Sequence, residues 1–362
     1  MPRKFTYAQA GINRDLRAES KKALKSLENT YLFSRYGKIV ELPFGNVFPF
    51  HDFYLDFVIE GVGTKVLLAQ LAGKYDTIAI DGIAMAVNDV IRSGARPFAI
   101  SDNIHEQLSD PALIREWMKG VVRGAADSDC IVPSGEIGDV ADLIRGIVEG
   151  KGFDMVFASI GEVAKENIIS GNNVSPGDAI IGLRSSGLHS NGVSLARRIL
   201  FKQWDGKYEP EAVPEGLERA VVLEALEPTR IYVKPLLKAA EEISVKAAVH
   251  ITGDAYLKFN RLAKFSEGIG FEFDNFSPQP IFTLIQATAK QLGGAIIDEE
   301  MFKTFNMGWG FAVIVDKMSA ERAIDVLEKE GVPAQEIGHV VGRPGVKILY
   351  RGKKIMLGYC LL

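Results

Sequence analysis

Phe53-Tyr54-Leu55-Asp56-Phe57-Val58-Ile59-Glu60-Gly61-Val62-Gly63-Thr64-Lys65 runs directly into the apolar stretch Val66–Leu71. Phe53–Ile59 is short, aromatic and partly β-branched, which predicts a strand. The glycine-bearing exit predicts a tight loop, and the apolar stretch predicts the start of a helix. Strand, loop and helix in this order form an α/β unit. Glycine at the bend lets backbone approach a ligand closely. The loop lacks the longer spacing of a Walker A motif and does not complete a G-x-G-x-x-G fingerprint. Two readings stand: a tight turn, or a cradle whose backbone N–H groups and Lys65 hold phosphate oxygens.

Outward from this unit, Thr77–Ile80 reads as a second strand, with Asp81 at its end before a helix over about Ile83–Ser93. Ile83, Val87, Val90 and Ile91 give that helix one broad apolar face. Pro97–Ser101 reads as a strand, Pro111–Ala126 as a helix, and Cys130–Pro133 and Met155–Ile160 as extended. Upstream, Asp15–Leu27 offers part of an apolar helix face in Leu16, Ala23, Leu24 and Leu27. A local excess of cations there, with Lys21, Lys22, Lys25, Arg35 and Lys38, fits a solvated helix face or a mobile segment that helps hold an anion.

Around Val163–Pro176 the composition changes, and Asn172-Asn173 and Pro176-Gly177 punctuate the chain. The expected domains are 1–165 and 166–362. In the second, Ala179–Leu183 and Gly310–Val315 read as strands, and Val193–Leu200, Val233–Ile243 and Ile281–Leu292 as helices. Val346–Tyr350 with Lys354–Tyr359 reads as a closing hairpin. The fold class is therefore α/β (α+β) in two domains.

Composition narrows the function classes. A chain of 362 residues, 47% apolar, can bury two ordinary cores. A net charge of -4 and a pI near 5.9 give no electrostatic reason to expect nucleic acid or a lipid surface as partner. The two cysteines, Cys130 and Cys360, lack zinc or disulfide spacing, which suits a reducing compartment. Cys130 lies in an apolar stretch and reads as a small buried residue. With neither a secretion signal nor a spanning segment, the expected location is cytoplasmic. No repeat is present, which favours a compact enzyme.

Asp81, Asn88 and Asp89 are the strongest polar constellation. If Asp81 caps the helix, Asn88 and Asp89 follow about two turns later. Such a set is either a solvated face or an oxygen-ligand Mg²⁺ site, with Glu60 and Glu136 completing the shell from separate loops. Its chemistry would be charge management: Mg²⁺, carboxylates and Lys65 orienting a polyphosphate as its terminal phosphoryl moves. His189, in the loop Ser185–Gly192, and His250, before Thr252-Gly253-Asp254, each suit either a substrate contact or loop stabilisation. His51, His105 and His339 stay unassigned.

Several ordered motifs carry a family resemblance: Gly61-Val62-Gly63-Thr64-Lys65, Ile80–Asp89, Ser185–Gly192, Pro228-Thr229-Arg230-Ile231-Tyr232-Val233-Lys234, His250-Ile251-Thr252-Gly253 and Phe305–Gly310. Together they resemble the phosphoribosylformylglycinamidine cyclo-ligase (aminoimidazole ribonucleotide synthetase) family from Tyr7 to about Val341. That resemblance implies a homodimer whose N-terminal domains share a central β-structure. It also implies ATP- and Mg²⁺-dependent conversion of formylglycinamidine ribonucleotide to aminoimidazole ribonucleotide in purine synthesis. The catalytic candidates are Lys65, Asp81 and Glu136, which it implies, and His189, taken from the chemistry of its loop. ATP contacts would come from Glu60, Gly61, Gly63, Thr64, Lys65, Asp81, Asn88 and Asp89, and metal contacts from Glu60, Asp81, Asp89 and Glu136. The alternatives are a related small-molecule kinase or phosphate-activating enzyme, and a nucleotide-binding homodimer without turnover.

The chain departs from the pattern at four places. Glu60 replaces Asp, and Ser134-Gly135-Glu136-Ile137-Gly138-Asp139-Val140 replaces Gly-Gly-Glu-Thr-Ala-Glu-Met. Asp254-Ala255 replaces a glycine pair, and Asn13 replaces an acidic residue.

Overall fold

The computed structural model describes residues 3–358. Two larger sheets organise them. The first has six strands in the spatial order Val40–Leu42, Gly45–Phe50, Phe53–Gly61, Phe153–Ala164, Arg96–Glu106, Ile131–Asp139. Only the last pair is parallel. The second has seven, in the order Lys353–Leu357, Gly345–Tyr350, Gly270–Phe273, Ala334–Val341, Ala179–Arg184, Trp309–Val315, Val245–His250. The mixed α/β class expected from sequence is what the chain adopts.

One face of the first sheet is covered by helices. Phe153, Met155, Phe157 and Val163 alternate inward along their strand, which packs on the helix Ile78–Val90, every residue of which is buried, while Phe153 meets Trp117 of the helix Pro111–Ser128. Gly82 permits that approach, since a Cβ there would run into the Phe157 ring. The opposite face is left bare: Phe57, Ile59 and Ile131 are 60%, 67% and 65% exposed.

Three expectations need correction. Thr77–Ile80 is not a strand; Ile78–Ile80 opens the helix, with Thr77 at the N-cap. Its β-branched residues suit a strand locally, but complete burial of the helix outweighs that preference. Asp81 is therefore the fourth helical residue and not a cap. The predicted apolar face of the first helix is not buried either. Arg14–Lys22 and the following 3₁₀ stretch Ala23–Phe33 bury no side chain, and Leu16, Leu24 and Leu27 are exposed. Cys130 is half-buried, its thiol donating to the Ser128 carbonyl, and Cys360 and Tyr359 lie outside the described residues.

Elsewhere the second half follows the reading closely. The three expected helices span Val193–Leu200, Val233–Glu242 and Pro280–Gln291, three more that were not expected span Val221–Ala225, Asp298–Thr304 and Ala320–Lys329, and the closing hairpin extends the edge of the seven-stranded sheet. Among the described residues no helix is long and apolar enough to cross a membrane.

Candidate functional site

Lys65 ends the 3₁₀ turn Gly63–Lys65 that closes the glycine loop, and its ammonium lies 2.8 Å from Asp81 Oδ1. Both side chains are fully buried. The ammonium also donates to the Glu227 carbonyl at 2.6 Å. Asp81 Oδ1 accepts three more bonds: from Ser190 Oγ at 3.1 Å, from the Thr229 amide at 2.9 Å and from the Thr229 hydroxyl at 2.5 Å. Three motifs far apart in sequence thus converge on one carboxylate. The four bonds on Oδ1 offset part of the desolvation of the buried pair, which costs several kcal/mol per ion. Asp81 Oδ2 has no partner among the described residues.

Asn88 is used at both ends of its amide. Its nitrogen donates to the Arg230 carbonyl and its oxygen accepts from the Tyr232 amide, each at 2.8 Å. It fastens the Pro228–Lys234 segment to the helix. His189, at φ 59°, accepts through Nε2 from the Ser186 amide at 3.1 Å. Burial foremost, with His250, Lys65 and Arg230 nearby, keeps its imidazole neutral well below the usual range. Its ring and the Tyr232 hydroxyl fill the space that any side chain at Gly310 would need.

Asp89 belongs to a second cluster. Its Oδ1 lies 2.7 Å from His250 Nδ1, and its Oδ2 is 3.0 Å from Arg92. Burial opposes ionisation of Asp89, but Arg92 and His250, with Lys258, hold its carboxyl well below the usual range. Burial pushes His250 down to about 4, against the pull of Asp89. The neutral ring therefore donates from Nδ1, and its buried Nε2 has no partner among the described residues. Glu60 is raised by burial and by the Asp89 charge, which Lys258 and Arg92 partly offset.

Sequence reasoning passed over Lys258. Burial lowers its ammonium to about 8, with Asp89 and Glu60 acting the other way. It donates to the His250 carbonyl at 3.1 Å and to the Thr252 hydroxyl. A signal existed: a lone cation in Tyr256-Leu257-Lys258-Phe259 has no solvated face when the whole stretch is buried.

The four expected metal residues do not gather in one chain. Asp81 is paired with Lys65, Glu60 and Asp89 lie within reach of each other's charge, and Glu136 sits exposed on the edge strand Ile131–Asp139. Among the described residues no group of three or more His, Cys, Asp or Glu is placed to hold a metal ion. Gly61, Gly63 and Thr64 line the loop as expected; Gly63 takes φ 69°, and the Thr64 hydroxyl meets that of Ser194 at 2.9 Å.

Residues 47–163 match the family description "AIR synthase related protein, N-terminal domain", and residues 175–351 match its C-terminal domain. The class is thus an AIR synthase related protein with both parts in order. Phosphoribosylformylglycinamidine cyclo-ligase of Thermococcus kodakarensis is 37% identical over 358 residues, covering 97% of this chain and 100% of that one. The namesake of Methanocaldococcus jannaschii is 39% identical over 342 residues, covering 93% and 92%. The chain belongs to the phosphoribosylformylglycinamidine cyclo-ligase family. Among solved structures, Escherichia coli HypE shares the fold at a TM-score of 0.57 and 18% identity, covering 85% of this chain and 86% of that one. Thermotoga maritima PurL complexed with ATP does so at 0.54 and 15%, covering 88% and 44%.

Proposed function

We propose that this chain closes the imidazole ring of aminoimidazole ribonucleotide from formylglycinamidine ribonucleotide, consuming ATP and releasing ADP and phosphate. The observation that carries this reading is the convergence of the glycine loop, the Ser185–Gly192 loop and the Pro228–Lys234 segment on the buried Lys65–Asp81 pair. The similarity to cyclo-ligases along 97% of the chain supports it.

In this reading the formyl oxygen attacks the terminal phosphorus of ATP and ADP departs. The amine of the same molecule then attacks the activated carbon; the new C–N bond forms, the C–O bond breaks with loss of phosphate, and the nitrogen gives up a proton. Holding both ends in one pocket removes most of the entropy loss of closure. Gly61, Gly63, Thr64 and Lys65 are assigned to phosphate, with Asp81 fixing Lys65 and Asn88 fixing the Pro228–Lys234 segment. His189 is assigned to the reacting amide. Glu60 and Asp89 suit Mg²⁺, being hard oxygen donors within reach of each other's charge, and the ion would offset phosphate charge.

Glu136 is assigned to the same site across a homodimer formed by the bare face of the first sheet, where Phe57, Ile59 and Ile131 are exposed. The active unit then comprises domains 1–165 and 166–362 from each subunit, working in the cytoplasm. Mass spectrometry of a reconstituted reaction tests the assignment: the ring product should form only when ATP, Mg²⁺ and the formamidine are all present. A stable phosphorylated acceptor without cyclisation would favour a kinase instead.

A further inference from the structure

The turn after Thr252-Gly253 holds two non-glycine residues in left-handed backbone, Asp254 at φ 65° and Ala255 at φ 40°. Asp tolerates that region better than most residues, and alanine has no such excuse. The turn is closed by the Ala255 amide on the Thr252 carbonyl at 2.6 Å and the Leu257 amide on the Asp254 carbonyl at 2.9 Å. It folds the chain back so that Lys258 reaches the His250 carbonyl and the Thr252 hydroxyl.

The Asp254 carboxylate lies 3.7 Å from Arg14 Nε. Arg14 begins a helix capped by Asn13, whose Oδ1 accepts from the Asp15 and Leu16 amides at 3.0 and 3.1 Å. That helix buries no residue, so apolar contact does not hold it down. Arg14 does: its guanidinium reaches Glu300 at 3.1 Å, the Lys303 carbonyl at 2.9 Å and the Thr304 hydroxyl at 2.8 Å, and lies over the Tyr7 ring. Arg14, next in sequence to the departure at Asn13, therefore meets the departure at Asp254 in space.

We propose that Arg14 and Asp254 are positioning residues. Their ion pair couples the order of the N-terminal helix to the left-handed turn that delivers Lys258 to the Asp89–His250 pair, and so sets how tightly the ribonucleotide is held. The last clause rests on the cyclo-ligase reading; the coupling itself does not.

The test uses the full chain with Asp254→Asn, Arg14→Met and the swap Arg14→Asp with Asp254→Arg. Asn keeps the tolerance of left-handed backbone and removes the charge. Amide exchange is read over residues 13–22 and 252–258, and KM and kcat are read for both substrates. Asp254→Asn should speed exchange in 13–22, and Arg14→Met should speed it in 252–258. Each should raise KM for the ribonucleotide roughly fivefold, in keeping with a partly exposed ion pair, with kcat nearly unchanged. The swap should recover part of both effects. Unchanged exchange in the far segment overturns the coupling, whether or not the parent makes a ring product. Faster exchange with an unchanged ribonucleotide KM overturns the positioning role. A parent that makes no ring product sinks the cyclo-ligase reading, and the exchange result then decides the coupling alone.

Discussion

Asp89 at the end of the helix Ile78–Val90 and His250 at the end of the strand Val245–His250 lie 2.7 Å apart, joining the two halves of the chain. Because burial holds His250 down to about 4, the ring is neutral in the folded protein while an unfolded ring takes up a proton near its ordinary value.

A pH dependence follows from that difference. Between about pH 6.5 and 4 the unfolded state binds more protons at this residue, so stability rises with pH and is lost as pH falls through the window. The contribution is on the order of 3 kcal/mol at full span. Denaturant midpoints of the parent and His250→Gln, taken at pH 7 and pH 4.5, should differ in slope, the variant losing less on acidification. Parallel loss in both would mean the ring is already charged or solvated.

Asp81→Asn should weaken the fold as well as the chemistry. The change leaves the fully buried Lys65 ammonium facing an amide, with only the Glu227 carbonyl unchanged. Breaking one partner of such a pair costs about 3–5 kcal/mol. The expected result is a protein that folds at low temperature, unfolds at lower denaturant and turns over poorly at every Mg²⁺ concentration. Full turnover restored by Mg²⁺, at parental stability, would instead make Asp81 a metal ligand and leave Lys65 paired elsewhere.

Much of this architecture was legible because local pattern and burial agree. Phe53–Ile59 and Val193–Leu200 carry the right period and fall where it puts them. Thr77–Ile80 misled because a helix buried on all sides needs no polar face, and a short apolar run cannot declare its own type. At the candidate site, motif order singled out Lys65, Asp81, Asn88 and Asp89, but not that the first two pair with each other and the fourth with His250. Those pairings depend on loops more than 100 residues away, such as Thr229 on Asp81. Lys258, Arg92 and Arg14 were missed for the same reason: each gains its meaning only from the carboxylate it meets.

The bare sheet face carries the dimer prediction. Phe57 and Ile59 project from the side of their strand that no helix covers, and Ile131 lies on the edge strand of the same sheet. Ile59→Lys should leave the monomer fold intact, since that side chain is 67% exposed, and should shift sedimentation from twice the 39.6 kDa chain mass toward the monomer. If Glu136 works across the interface, activity should fall with dissociation and recover at high protein concentration. A variant that stays dimeric would place the interface on another surface.

Asp56 gives the opposite pH signature to His250. It points inward from the strand Phe53–Gly61 beneath Ser93, whose hydroxyl donates to Oδ2 at 2.7 Å, and it shares a cavity with Asp89 and Arg92. Burial raises its carboxyl to about 6, and the Ser93 bond and Arg92 only partly offset that. For a raised carboxyl the folded state binds more protons than the unfolded state between about pH 3.8 and 6. Its stabilising contribution is present below that window and is lost as pH rises through 6, so at pH 8 the ionised group is a net cost. Asp56→Asn keeps an oxygen to accept from Ser93 and removes the charge. The variant should therefore be more stable than the parent at pH 8, by on the order of 1–3 kcal/mol, and should show little advantage at pH 4. Denaturant unfolding at the two pH values decides it: a stability difference that is the same at both would mean that Asp56 titrates near its ordinary value and that the cavity is wetter than its lining implies.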